Sequence, residues 1–383
     1  MRPPFRPGAI TGNMQEFFTQ LDLLRATERK VAMATLVATR GTTPKKEGAK
    51  MWVGEGGRIL GSVTIGGCVD ARVIAESEEV LTTGRCRLLS VPLGDEEAWD
   101  MGLTCSGAVD VLIEAIDFDR PNTTPLNAYE AVRADESEPE RQAVVVAPLP
   151  EAATRLVVFD DGAVSGTIGG AAVDKEARAQ ALKTMLDGRS RTVTLRVGEQ
   201  ALDVFLELLA PPPTLVIFGA THVAMPLVSF AKGLGWRTVV VDGRERFATR
   251  DRFPDADEIR VGVLGDIATE MHFGASTFVV LTAHDYKYEL PVLRAILAKH
   301  PAYIGLLGSA RRGAALRDFL REEGISDADM ERIRVPVGLD IGADSAAEIA
   351  LSILAEAVAV RARRPGTPLR DRARVASIEG AGI

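Results

Sequence analysis

The chain carries two different hydrophobic patterns, which meet at a Pro-Pro-Pro run at residues 211–213. Before this run, short stretches alternate apolar and polar residues and are joined by glycine-containing turns, as in antiparallel hairpins. After it, continuous apolar runs typical of buried strands alternate with helical patterns. These patterns predict an N-terminal α+β domain over residues 1–210 and a Rossmann-like, doubly wound α/β domain over residues 211–383.

An internal repeat organises the N-terminal half. Residues 51–91 contain the run T-I-G-G-C-V-D, and residues 157–195 contain T-I-G-G-A-A-V-D; in both, a helical stretch and a strand pattern follow. The likeness continues into residues 108–114 and 201–207, which share the pattern A-x-D-V-x-x-E. Each copy is predicted to form strand, hairpin, helix, strand and strand, and the two copies to form one pseudo-symmetric domain that carries the duplication.

Other elements follow from spacing. Residues 14–27 place apolar side chains at helical intervals and predict a packing helix, while the acidic residues 117–140 predict a loop and then a surface helix near 128–132. In the C-terminal half, strands are predicted at 215–218, 237–241, 278–281, 303–307 and 334–339, and helices near 223–234, 290–299, 311–323 and 345–361.

Composition narrows the function classes. The 383 residues are 46% hydrophobic and carry a formal net charge of −8, which is ordinary for a globular protein and disfavours broad binding to nucleic acid or to an anionic membrane. No uninterrupted apolar segment is long enough to span a bilayer. The three cysteines form no C-x-x-C pair, so reduced thiols and a cytoplasmic location are expected.

The cysteines supply the first candidate site. Cys68 follows Gly66 and Gly67 at a predicted helix start, where exposed N–H groups and the helix dipole attract anions and lower the pKa of a nearby thiol. The second copy has alanines there, so the scaffold does not require the thiol. Cys105 also lies in a glycine-rich turn. The alternative is that both are buried structural cysteines, which is our interpretation of Cys86.

The second candidate site is the turn after the first strand of the C-terminal domain. Gly219 and His222 lie in this turn, and Asp242 ends the next strand, where Rossmann folds hold a ribose hydroxyl. Thr221 replaces the second glycine of the dinucleotide fingerprint, which weakens the prediction of NAD binding. His222 is expected either to donate to a phosphate or to cap the helix.

Two further loops follow predicted strands of the same sheet and therefore reach the same edge. One contains His284 and Asp285, and the other contains Gly308, Ser309 and Arg311 with its neighbour Arg312. A hydroxyl, backbone N–H groups and a guanidinium together would hold a phosphate. The alternatives are that Asp285 caps the next helix and that the arginines are only solvated.

The order of these motifs resembles the XdhC/CoxI family over nearly the whole chain. The resemblance rests on the Gly-Gly-Cys-Val-Asp and Cys-x-Gly runs, then Gly-Ala-x-His-Val, Val-Asp-x-Arg, the His-Asp loop and Gly-Ser-x-Arg. Pro-Val-Gly-Leu-Asp-Ile-Gly-Ala and Glu-Ile-Ala-x-Ser-Ile complete it near the C-terminus.

The resemblance implies an accessory factor for molybdenum hydroxylases such as xanthine dehydrogenase. Such factors bind the molybdenum cofactor in its molybdopterin form, support exchange of an oxo for a sulfido ligand by a cysteine desulfurase, and deliver the cofactor to the apoenzyme without turnover of their own. Cys68 and Cys105 would approach or protect the molybdenum. The pterin or nucleotide phosphate would be held by Gly219, His222, Asp242, Ser309 and Arg311.

Two other functions stay open at this stage. One is an NAD(P)-dependent oxidoreductase in which Asp242 binds the ribose and Arg244 contacts a 2′-phosphate. The other is an assembly scaffold that holds the dehydrogenase through surface contacts. A homodimer is expected only because it is the commonest oligomer.

Overall fold

The computed structural model describes residues 14–41, 46–64, 67–93, 107–120, 124–133, 141–283 and 286–371, with the side chains of all but Cys68, Thr124 and Tyr286. The chain divides into two compact units, Met1–Pro211 and Pro212–Ile383, which we call the N-terminal and C-terminal units. None of the described helices is long and apolar enough to cross a membrane.

Two antiparallel sheets form the N-terminal unit. After α1 (Met14–Arg25), the first copy contains β1 (Lys30–Gly41), β2 (Lys50–Gly54), β3 (Ile59–Gly61), α2 (Cys68–Thr83), β4 (Arg87–Leu93) and β5 (Gly107–Asp117). After α3 (Thr124–Arg133), the second contains β6 (Ala143–Pro148), β7 (Arg155–Phe159), β8 (Val164–Thr167), α4 (Ala171–Asp187), β9 (Arg191–Val197) and β10 (Gln200–Leu209). Their strand orders, β3-β2-β1-β5-β4 and β8-β7-β6-β10-β9, correspond. The predicted duplication is confirmed.

Successive side chains of a strand point to opposite faces of its sheet, and in β1 and β6 both faces are apolar. Ala32, Ala34 and Leu36 of β1 pack with α2, whereas Val31 and Met33 enter a core shared by both copies. In the second copy, alternate residues of β6 divide in the same way between α4 and the shared core. The shared core also contains apolar side chains of α1 and α3.

Helix α3 is not the surface helix that the acidic sequence predicts. Leu126, Tyr129 and Val132 are buried in the shared core, and the Tyr129 ring lies 4.5 Å from that of Phe17. The prediction was wrong because only one side of this helix is polar, and its apolar positions cover the core between the two copies.

Hydrogen bonds give the correspondence between the copies. Ser62 Oγ and the Val63 N–H bond to the Asp70 carboxylate, and Thr167 Oγ1 and the Ile168 N–H bond to Asp174 in the same way. Ser62 and Val63 therefore correspond to Thr167 and Ile168, although the T-I-G-G letters match two positions later. The segment from Ser62 to Asp70 is one residue longer than the segment from Thr167 to Asp174.

Two buried ion pairs join the copies reciprocally. Lys50 begins the second strand of the first copy and pairs with Glu207 of the second, with 2.8 Å between Nζ and Oε1. Arg155 begins the second strand of the second copy and pairs with Glu114 of the first. Strand register places Glu114 and Glu207 at corresponding positions of β5 and β10. Each copy thus supplies one cation and one anion to the other.

The C-terminal unit is a six-stranded parallel sheet. Its elements are β11 (Thr214–Phe218), α5 (Ala224–Gly233), β12 (Arg237–Asp242), β13 (Glu258–Val261), α6 (Leu264–Glu270), β14 (Thr277–Leu281), α7 (Tyr286–Leu297), β15 (Tyr303–Leu306), α8 (Ala310–Glu322), α9 (Asp327–Glu331), β16 (Ile333–Arg334), α10 (Ala346–Arg361) and a 3-10 turn (Leu369–Asp371). The strand order β13-β12-β11-β14-β15-β16 is that of a Rossmann fold, as predicted.

The last strand is shorter than its apolar pattern predicts. The pattern indicates a strand over residues 334–339, but pairing with β15 ends at Arg334. Pro336 has no N–H group to donate to a sheet, and the chain leaves the sheet before it. The loop that follows is held instead by α10, where Ser352 Oγ donates to the Leu339 carbonyl.

Candidate functional site

The carboxyl ends of β11 and β14 form the point at which the winding of the sheet reverses, the usual ligand site of such folds. Gly219 follows β11 with a φ of 113°. Its N–H donates to the Val241 carbonyl at 2.8 Å, and its carbonyl accepts from Thr282 Oγ1 at 2.7 Å. A Cβ on Gly219 would lie 2.8 Å from the Ala283 nitrogen. Only glycine fits this close approach of two strand ends.

Asp242 at the end of β12 is bound within the protein. Its Oδ1 accepts from the Arg244 N–H and Nε at 2.8 and 2.9 Å, and its Oδ2 accepts from the Ala220 N–H and Arg244 Nη2 at 2.7 and 2.8 Å. Burial acts to raise the pKa of this carboxyl, but the hydrogen bonds from Arg244 and Ala220 outweigh it and hold the pKa below its ordinary value.

The same turn is held from a second side by Arg252, which the sequence did not single out. Arg252 Nη1 donates to the Ala220 carbonyl at 3.1 Å and to the Phe247 carbonyl at 2.9 Å. Both polar groups of Ala220 are therefore bonded. Nothing in the spacing marks Arg252, because it follows β12 in the sequence, whereas the turn that it supports follows β11.

We expect the stability advantage of Asp242 to depend on pH. Because its folded pKa is lowered, the carboxylate stabilises the protein above its unfolded pKa of about 3.9, and this contribution is lost as pH falls through the folded pKa. The difference in melting temperature between wild type and Asp242→Asn should be largest above about pH 5 and shrink below about pH 4. Asp340→Asn, on an exposed loop, is the matched control; a constant difference would contradict the assignment.

The loop after β15 separates two neighbouring arginines. Ser309 is the N-cap of α8 and accepts from the Arg312 N–H at 3.2 Å. The Arg312 guanidinium pairs with buried Glu289 at 2.5 Å, whereas Arg311 is exposed. Gly308 precedes the cap and is half-buried. Of the two arginines that the sequence offered, Arg311 is the one whose side chain points outward at this edge.

The histidines and Thr221 complete this edge. His222 is exposed, and no side chain caps α5, whose N-cap is Val223; the capping alternative for His222 is not supported. Thr221 Oγ1 is buried and has no hydrogen-bond partner among the described residues. His284 and Asp285 lie outside the described residues, so their roles stay predictions.

In the N-terminal unit, α2 begins at Cys68. Its N-cap is Gly67, with a φ of 78°, and no side chain caps the helix. Gly67 therefore supplies no side-chain acceptor to the first-turn N–H groups, and N–H groups that the N-cap leaves open in this way favour an anion. Thr64 is 7% exposed, and its hydroxyl has no partner in the described part of the chain. Gly66 and Cys105 lie outside the described residues.

The second copy shows that the thiol is not required by the fold. Counting back from the equivalent residues Asp70 and Asp174, Cys68 corresponds to Ala172. Cys86, by strand pairing, corresponds to Ser190 and is half-buried. Within the described ranges, no three His, Cys, Asp or Glu side chains are grouped as a metal site.

Fold and site together define a duplicated α+β unit joined to a Rossmann-type unit. The family model described as the XdhC Rossmann domain matches residues 215–357, and the model of the XdhC and CoxI family matches residues 24–92 and 142–198. The chain belongs to the XdhC/CoxI family, as its motifs indicated.

Similarity to two named proteins and to a solved structure agrees with this result. The chain is 27% identical to a protein of Bacillus subtilis described as a probable xanthine dehydrogenase subunit, over 91% of this chain and 99% of that protein. It is 27% identical to the molybdenum cofactor insertion chaperone PaoD of Escherichia coli, over 86% and 83% of the two chains. A crystal structure described as a xanthine dehydrogenase from Bacillus halodurans superposes with a TM-score of 0.72 at 27% identity, covering 93% of this chain and 98% of that one.

Proposed function

We propose that this protein binds molybdenum cofactor in its molybdopterin form and supports its insertion into a xanthine dehydrogenase-type enzyme. The observation that carries the proposal is the similarity, over most of both chains, to a relative named as a molybdenum cofactor insertion chaperone. Similarity to a protein described as a probable xanthine dehydrogenase subunit points to the same class of client.

The start of α2 suits such a cargo. Its uncapped N–H groups favour an anion, the buried Thr64 hydroxyl offers a further hydrogen bond, and Cys68 brings a thiol to the first helical residue. Thiolates are ligands of soft metals, and a helix N-terminus stabilises the thiolate form. Cys105 is proposed as a second thiol contact. The pterin phosphate is proposed to bind in the C-terminal unit at Gly308, Ser309 and Arg311.

Two finer steps belong to this proposal. A cysteine desulfurase supplies sulfur to the cofactor while this protein holds it, and the protein then transfers the cofactor to the apoenzyme. In these steps the chain binds and protects the cofactor; it does not turn over a substrate.

Cys68→Ala is the direct test. Purified protein is incubated with molybdenum cofactor, passed over gel filtration, and the molybdenum that elutes with the protein is measured. We expect wild type to retain the cofactor and the variant to retain at least about tenfold less, the scale of loss when a metal site loses an important contact.

Cys86→Ser is the matched control, because the second copy has Ser190 at the corresponding position. It should retain as much cofactor as wild type. Equal retention by Cys68→Ala and wild type would contradict the role of Cys68. Stabilisation by NADH alone would instead favour the oxidoreductase, and binding of the apoenzyme without either ligand would favour the scaffold.

A further inference from the structure

The Asp242 carboxylate has no free acceptor position. A carboxylate offers about four lone-pair positions, and Asp242 accepts hydrogen bonds from Arg244 N–H, Nε and Nη2 and from the Ala220 N–H. In a dinucleotide-binding Rossmann domain, the acidic residue at this strand end accepts from ribose hydroxyls. Here the acceptors that would bind a ribose are already used by the protein.

Arg244 is held on its other side as well. Its Cζ lies 4.2 Å from the centroid of the Phe247 ring, and Arg252 Cζ lies 5.1 Å from the same centroid. Contact of a guanidinium with an aromatic ring stabilises its position. The Arg244 side chain is 55% exposed and that of its partner Asp242 only 5%, so the exposed guanidinium shields the buried carboxylate.

The turn after β11 gives a second obstacle to a dinucleotide. The pyrophosphate of a dinucleotide approaches the backbone where the fingerprint has its second glycine, and this chain has Thr221 there. The turn cannot easily move aside, because Asp242 and Arg252 hold the two polar groups of Ala220. At the start of α8, Ser309 and Arg311 are both exposed, and the Ser309 hydroxyl, which accepts from the Arg312 N–H, still has its own O–H to donate to a phosphate.

We propose that the C-terminal unit selects ligands that end in a phosphomonoester and rejects dinucleotides, and that the Asp242–Arg244 ion pair makes this selection. The inference rests on the proposed function and deepens it, because it names the residues that would distinguish the molybdopterin form of the cargo from a dinucleotide form. Molybdopterin ends in a phosphate, whereas a cofactor form whose phosphate carries a nucleoside would need the ribose position that Arg244 occupies.

Arg244→Gln tests the selection, with NADH as the dinucleotide probe and glycerol 3-phosphate as the phosphomonoester probe. Calorimetry and thermal melting of the full chain should show that wild type binds glycerol 3-phosphate and not NADH. The variant frees one acceptor position on each Asp242 oxygen, so its affinity for NADH should rise by about tenfold or more. Arg246→Gln, an exposed arginine of the same loop, should behave as wild type.

Two results would overturn the inference: no gain of NADH affinity in Arg244→Gln over wild type, or no binding of glycerol 3-phosphate to wild type. Arg244→Ala frees the same positions and replaces the glutamine variant if that one melts early. Loss of molybdenum cofactor retention would contradict the proposed function but leave the NADH comparison unchanged, so the two failures are distinguishable.

Discussion

Replacing Lys50 with methionine is expected to lower the free energy of unfolding of the N-terminal unit by about 3–5 kcal/mol. Lys50 is 2% exposed, and its Nζ lies 2.8 Å from Glu207 Oε1 and 3.0 Å from Thr35 Oγ1. Methionine fills a similar volume but leaves the Glu207 carboxylate buried, with the Tyr129 hydroxyl at 2.7 Å as its remaining donor in this group. The cost comes from an uncompensated buried charge.

Urea unfolding in a Trp236→Phe background measures this effect, because both remaining tryptophans belong to the N-terminal unit. The double variant Lys50→Met, Glu207→Gln should recover much of the loss, since it removes the unpaired charge. Lys30→Met is the control: Lys30 pairs with Asp117 but is 37% exposed, so the change should cost less than about 1 kcal/mol. Equal costs for Lys50 and Lys30 would show that burial of the pair is not the cause.

Gly219→Ala is expected to destabilise the C-terminal unit by about 2–4 kcal/mol. The backbone of Gly219 has a φ of 113°, and the new Cβ would lie 2.8 Å from both the Ala283 nitrogen and Thr282 Oγ1. Alanine would have to move the end of β14, and the turn with it. The free energy of binding glycerol 3-phosphate should change less than the free energy of unfolding, because the proposed phosphate site at the start of α8 lies in a different loop from Gly219.

Trp236 is buried in the C-terminal unit, so the part of the fluorescence change that is lost in a Trp236→Phe background reports the unfolding of that unit. Gly233→Ala is the matched control: Gly233 ends α5, and a Cβ there meets nothing within 4 Å. This control should be neutral or slightly stabilising, because alanine favours a helix more than glycine does. If both substitutions cost the same, the close approach at Gly219 does not limit the turn.

Local pattern was sufficient for most of the fold. The alternation of strand runs and helices after the triproline predicted the parallel sheet, and the internal repeat predicted two copies of one strand order. Both predictions were possible because the hydrophobic periodicity of a helix or strand reflects which of its faces is buried. The predicted strand 334–339 is too long because the chain leaves the sheet before Pro336. The predicted exposure of α3 was wrong because the helix has an apolar face within an acidic stretch.

The sequence predicted only part of the candidate sites. Sequence placed Gly219, Asp242, Ser309 and Arg311 at one sheet edge, since the loops after parallel strands share that edge. It did not show that Asp242 is saturated by Arg244 and Ala220, or that Glu289 binds Arg312 and leaves Arg311 outward. These outcomes depend on side-chain directions across elements that spacing along the chain does not encode.

By itself, the sequence determined the duplication, the Rossmann-like half and the membership of the XdhC/CoxI family, because periodicity and ordered motifs are local properties. Tertiary structure alone decided how charges are partnered: Lys50 with Glu207, Arg155 with Glu114, and Asp242 with Arg244. The first two pairs join residues that are distant in sequence. The third is held in place by contact of Arg244 with the Phe247 ring and by the Ala220 N–H, in the turn after β11, which donates to Asp242. Packing between elements far apart in the sequence decides which oppositely charged groups come into contact, and a pattern along the chain does not contain the distances between such groups.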